Sequence, residues 1–178
     1  VIECADHQAQ LADLNNEQVA EVLWAYHDRF ADLKKDPRFR YILIFKNQGA
    51  AAGASLGHSY SQIVAVPIVP REVRVEVDGA RAHFAAKERC VFCDILRQEI
   101  KDGRRMVAEN ADMVAVAPFA PRFPFETWIL PRRHDAYFEH ASRHEHASLA
   151  RLLGDVLRRI KRALGSPPYN MVVHTAPV

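Results

Sequence analysis

"GASLGHSYSQIVAVP", residues 53–67, runs from small residues through His58, Tyr60 and Gln62 into an apolar stretch. In an extended chain alternate side chains share a face, so these three residues would line one pocket floor. The same pattern also suits an edge strand that turns its polar residues to water. Both readings predict a strand over 62–70, closed by Pro67 and Pro70. Upstream, "YILIFKN" at 41–47 reads as a buried strand. "QGAAAGAS" at 48–55 reads as a small-residue loop where backbone can approach a ligand.

Further out the period changes from two to 3.6. Apolar residues at 19, 22, 23, 26, 30 and 33 predict a helix over 16–35, with Asn15 and Gln18 as its capping box and Pro37 as its stop. A second amphipathic helix is predicted over 146–164, followed by a strand over 169–175. Helix then strand thus occurs twice, at 16–47 and at 146–175, a weak internal repeat. Between them lie a charged connector with a helix (71–89) and two strands (113–120 and 126–134) joined by a Pro/Phe turn.

The 178 residues suffice for one domain or two small ones with a real core. A 49% hydrophobic and 26% charged composition is ordinary for a globular chain, and a net charge of +2 does not mark a nucleic-acid binder. No apolar run approaches bilayer length, and no basic-then-apolar leader opens the sequence. Three cysteines without such a leader fit a reducing compartment, so the expected location is the cytoplasm.

Cys90 and Cys93 form C-x-x-C, open to three readings: a redox pair, half of a zinc site, or two incidental thiols. There is no second C-x-x-C, so further zinc ligands must be His or carboxylate. His134, after a strand and "PRR", is the best third ligand. His140, His144 and His146 read as solvated, His174 as either a core or a site residue, and His7, His27 and His83 carry no supporting pattern.

Taken together, "FKNQGAAAGASLGHSYSQIVAVPIVP", "CVFCDIL", "APFAPRFPFETWILPRRH" and "PPYNMVVHTAP" resemble the galactose-1-phosphate uridylyltransferase family. That family, with the ADP-glucose phosphorylase-like proteins, lies in the histidine-triad superfamily. The segments follow the family's order over nearly the whole chain. The resemblance implies an α+β fold of two histidine-triad-like repeats, antiparallel sheets with packed helices, both incomplete in this chain. Residues 1–70 would be the later part of the first repeat, 71–89 a connector, and 90–178 the earlier part of the second.

It also implies a nucleotidyltransferase of sugar-1-phosphate metabolism, acting on a nucleotide sugar and a sugar 1-phosphate, zinc-bound and homodimeric. The family motif is His-(Pro or Ser)-His-x-Gln. The resemblance makes His58 a metal ligand beside the Cys90, Cys93 and His134 set. It makes Gln62 a phosphate contact and places Asn47, Gly53 and Ser55 around the phosphates. Tyr60 stands where the family has its nucleophilic His. An imidazole is nucleophilic near neutral pH, whereas a phenol with a pKa of about 10 needs a base or a positive field. Impaired transfer is therefore expected. Two alternatives are a non-catalytic nucleotide- or phosphate-binding protein and a small zinc-stabilised interaction module.

Overall fold

A computed structural model describes all residues, 1–178. Helix α1 (Asn16–Leu33) starts where its cap dictates: Asn15 Oδ1 accepts from the Gln18 N–H at 2.8 Å, and the Gln18 side chain returns the bond. Strand β1 (Tyr41–Gln48) follows, then β2 (Gln62–Val66), α2 (Arg71–Lys87), α3 (Val91–Asp102), β3 (Met106–Glu109), β4 (Met113–Val116), β5 (Trp128–Pro131), α4 (Arg143–Leu164) and β6 (Tyr169–Val173). No helix is long and apolar enough to cross a membrane.

The strands form two antiparallel sheets of three, ordered β2-β1-β6 and β3-β4-β5. Helix α4 is buried on two sides. Ala150, Leu153 and Leu157 join Val19, Leu23, Phe30, Ile42 and Ile44 in the main core, while Leu152 and Val156 pack on Met113 and Ala115 of the second sheet. The predicted α+β layout of helices on antiparallel sheets is thus present.

Several expectations shift. Pro67 ends β2 at Val66 rather than at 70, and the strands expected over 113–120 and 126–134 shorten to β4 and β5. The C-x-x-C segment opens a helix, α3, and β3 had not been anticipated. Helix α4 starts three residues early because Ser142 and Glu145 form its capping box. That extra turn puts His146 one turn before Ala150 on the core stripe. It is 1% exposed, not solvated, and lies edge-on to Trp24, His27 and Phe138.

Alternation along β1 buries Ile42, Ile44 and then Lys46, which is 0% exposed. The Lys46 ammonium donates to Glu3 Oε2 (2.8 Å), Ser59 Oγ (3.0 Å) and the Tyr60 carbonyl (3.2 Å). Glu3 also accepts from Ser59 (2.5 Å), Ser61 and Tyr26 (3.3 Å). The burial pushes the Tyr26 hydroxyl well above the tyrosine range, so it stays a neutral donor.

Two outcomes follow from these buried groups. Lys46→Met should cost about 3–5 kcal/mol in denaturant unfolding, because it strands the Glu3 carboxylate, and adding Glu3→Gln should recover much of the loss. Burial lowers the His146 pKa in the fold, so below the unfolded value of about 6.5 the unfolded chain binds the extra proton. Stability should therefore fall between about pH 7 and pH 5, and His146→Phe should flatten that fall in thermal melts.

Candidate functional site

The chain leaves β1 through a tight loop. Gly49 and Gly53 have φ of 82° and 85°, a region that favours glycine, and between them Ala50–Ala52 make one 3-10 turn. A Cβ on Gly53 would stand 3.4 Å from Asn47 Nδ2, so the loop backbone lies against that amide. Asn47 Nδ2 donates to the Gly53 carbonyl at 3.4 Å. From β6, Asn170 Nδ2 donates to Asn47 Oδ1 (2.8 Å) and to the Ala52 carbonyl (2.9 Å). Asn170 clamps the loop, yet in "YNMVV" nothing marked it.

Ser55 ends the loop and meets Tyr60. Its N–H donates to Tyr60 Oη at 3.1 Å, and its hydroxyl lies 3.0 Å from the same oxygen. The Ser55 hydroxyl first, then its N–H, hold the Tyr60 phenol below the usual tyrosine range, and the Lys46 ammonium adds to this. Tyr60 is nevertheless only 9% exposed. Asn47 thus contacts Gly53, and Ser55 contacts Tyr60, at the two ends of one loop.

The expected single strand through His58, Tyr60 and Gln62 is not formed. Strand β2 begins at Gln62, Tyr60 makes only an isolated bridge to Ile2, and His58 lies in a bend. Residues 59–61 pair instead with the N-terminal segment, the Glu3 N–H donating to the Ser59 carbonyl and the Ser61 N–H to the Val1 carbonyl, while Lys46 takes the Tyr60 carbonyl. Gln62 pairs with Phe45, and Asn47 with Asn170, so Gln62, Asn47 and Asn170 share the sheet face away from the core. His58 stands apart, its Nδ1 3.2 Å from the Ser59 carbonyl and its ring edge-to-face with His7 at 5.0 Å between centroids. His7 had carried no role in the sequence; only the fold of the N-terminal segment over this bend reveals the pair.

At the other sheet, Cys90 caps α3 and Cys93 sits in its first turn, so both sulfurs lie at the same helix end. His134 follows β5. The donor atoms of Cys90, Cys93 and His134 lie within 4.8 Å of one another, with Cys93 Sγ 3.2 Å from His134 Nδ1. Two thiols and an imidazole are three of the four soft donors a tetrahedral zinc takes. Next to them Asp94 is held to about 2 by His83, Arg89 and Arg97, which ties α2 to α3.

Residues 1–70 match the family model for the galactose-1-phosphate uridyl transferase N-terminal domain, and residues 76–178 that for its C-terminal domain. An ADP-glucose phosphorylase from Arabidopsis thaliana is 38% identical over 100% of this chain and 49% of its own length. A galactose-1-phosphate uridylyltransferase from Thermotoga maritima is 32% identical over 99% of this chain and 55% of its own. The chain spans about half the length of these relatives. The crystal structure of an Arabidopsis ADP-glucose phosphorylase with bound ADP-glucose superposes with a TM-score of 0.92 at 38% identity, covering 99% of this chain and 55% of that one. Two matching domain models, in order and over nearly all of residues 1–178, make the chain a member of the galactose-1-phosphate uridylyltransferase family.

Proposed function

We propose that this chain takes part in nucleotidyl transfer between sugar 1-phosphates, with a nucleotide sugar as donor, and that Tyr60 makes the transfer slow. The observation that carries this is the pair of contacts Asn47–Gly53 and Ser55–Tyr60 on one loop, in a family whose relatives include uridylyltransferases and an ADP-glucose phosphorylase. Asn47, Ser55 and Gln62 would hold phosphate oxygens through amide and hydroxyl donors. The Tyr60 phenol would face the α-phosphorus. Transfer to it would form a Tyr60 O–P bond and break the bond to the bridging oxygen, releasing the sugar 1-phosphate. The phenol must first lose a proton, and no imidazole stands at residue 60 to attack as a neutral base. The Ser55 contacts to the Tyr60 hydroxyl also support the alternative of a binding protein without turnover.

Cys90, Cys93 and His134 are proposed to hold zinc, which when bound would pin the start of α3 to the segment after β5. A reducing compartment such as the cytoplasm suits these free thiols. His58 with His7 is proposed as part of a second metal site. Exposed Val64 and Val172 on the first sheet support a homodimer.

Two measurements test this reading. Protein purified without chelator should contain about one zinc per chain at the cysteine site, and Cys90→Ser should lower zinc content and Tm together; metal analysis without zinc removes the site. Sugar 1-phosphate release from UDP-glucose and ADP-glucose should be slow in the wild type and rise at least about tenfold in Tyr60→His. Wild-type turnover at ordinary enzyme rates, on the order of 10 per second, would show that Tyr60 does not impair the site.

A further inference from the structure

Three of the seven N–H groups in the loop over residues 49–55 are committed to the loop itself. The N–H groups of Ala52, Gly53 and Ala54 donate to the carbonyls of Gly49, Ala50 and Gly49, and the Asn47 amide is turned to Gly53. The Ser55 N–H and hydroxyl differ. Both converge on one oxygen, and it belongs to Tyr60. An N–H and a hydroxyl meeting at one oxygen is how a loop holds a phosphate oxygen. Ser55 is exposed while Tyr60 is buried, so polar groups of a surface residue are met by a side chain of the protein itself.

We propose that the Tyr60 hydroxyl is an internal occupant of the Ser55 donors, and that a phosphate-bearing ligand binds this loop only by displacing it. The inference rests on the reading of loop 49–55 as a phosphate cradle. Tyr60 competes well because it is tethered: Lys46 holds its carbonyl at 3.2 Å and its ring is packed, so its oxygen never leaves the neighbourhood. The apparent affinity of the cradle is lowered by the fraction of time its donors are free. Two hydrogen bonds of ordinary strength make that fraction small, on the order of a tenth or less. The residue that replaces the nucleophile would thus also set how tightly the site takes phosphate.

Tyr60→Phe separates the two roles. It removes one oxygen, keeps the ring, and leaves the exposed Ser55 N–H to water, so the fold is preserved. Inorganic phosphate and ADP are titrated calorimetrically into wild type, Tyr60→Phe and Tyr60→Phe/Ser55→Ala. The expected result is about tenfold tighter binding in Tyr60→Phe, with no gain in transfer, and a return toward wild type in the double variant. In the wild type, saturating phosphate should also raise the pH at which Tyr60 ionises, since displacement takes away its donors. Equal affinity in wild type and Tyr60→Phe overturns the proposal and leaves the cradle standing. Weaker binding in Tyr60→Phe means that the hydroxyl contacts the ligand, and overturns it too. No binding by any of the three folded proteins overturns the cradle and the proposal together.

Discussion

The Lys46–Glu3 ion pair holds the site together. Taking a carboxylate and an ammonium out of water is expensive, and their attraction repays it only when the remaining donors and acceptors are also satisfied. Here Glu3 meets Lys46, Ser59, Ser61 and Tyr26, and Lys46 meets Glu3, Ser59 and the Tyr60 carbonyl. The cluster joins the N-terminal segment, the end of β1 and residues 59–61 at one point. An apolar residue at 46 would fill the same space but leave the Tyr60 carbonyl without a donor. The pair therefore sets which way the motif faces: Ser59 and Ser61 point down to the charges, and the Tyr60 side chain is left to meet Ser55 on the other side.

A second constraint brings the two ends of the chain to the same place. Strand β1 lies between β2, its neighbour in sequence, and β6, more than a hundred residues on. Helix α4 packs on α1 with one side and on the second sheet with the other. Because β6 is held there, Asn170 reaches the loop after β1, and His174 reaches Glu76 of α2 at 3.1 Å. The loop over residues 49–55 is thus supported from outside its own half of the chain, by the same helix–strand unit whose echo of the first half was visible as a repeat.

The sequence made legible what depends on near neighbours. Capping boxes and apolar spacing located α1 and most of α4, alternation located β1, and the C-x-x-C with His134 predicted a cluster that does form. What it hid depends on partners far along the chain. A lysine in an apolar strand reads as an exposed break until Glu3, 43 residues earlier, is seen beside it. His146 looked polar among polar neighbours, although it continues the stripe of Ala150, Leu153 and Leu157. Asn170 and His7 had no local pattern because their partners, Asn47 and His58, come from another strand and another bend.

On the proposed function, a phenol in place of an imidazole is more than a loss of basicity. The Ser55 donors pull the Tyr60 hydroxyl toward its anion, and a lowered pKa is often taken as a sign of an activated nucleophile. Here the cause works against attack. A phenolate stabilised by two donors has its charge spread into those bonds and its lone pairs turned toward them, away from any phosphorus. To react, it would have to give up the contacts that favour its anion. A neutral imidazole carries its reactive lone pair without such stabilisation, since its second nitrogen holds the proton. On the proposed function, the contacts that make Tyr60 more acidic are the ones it would have to give up to transfer a nucleotide, and they come from Ser55 at the end of the loop with the Lys46 charge nearby.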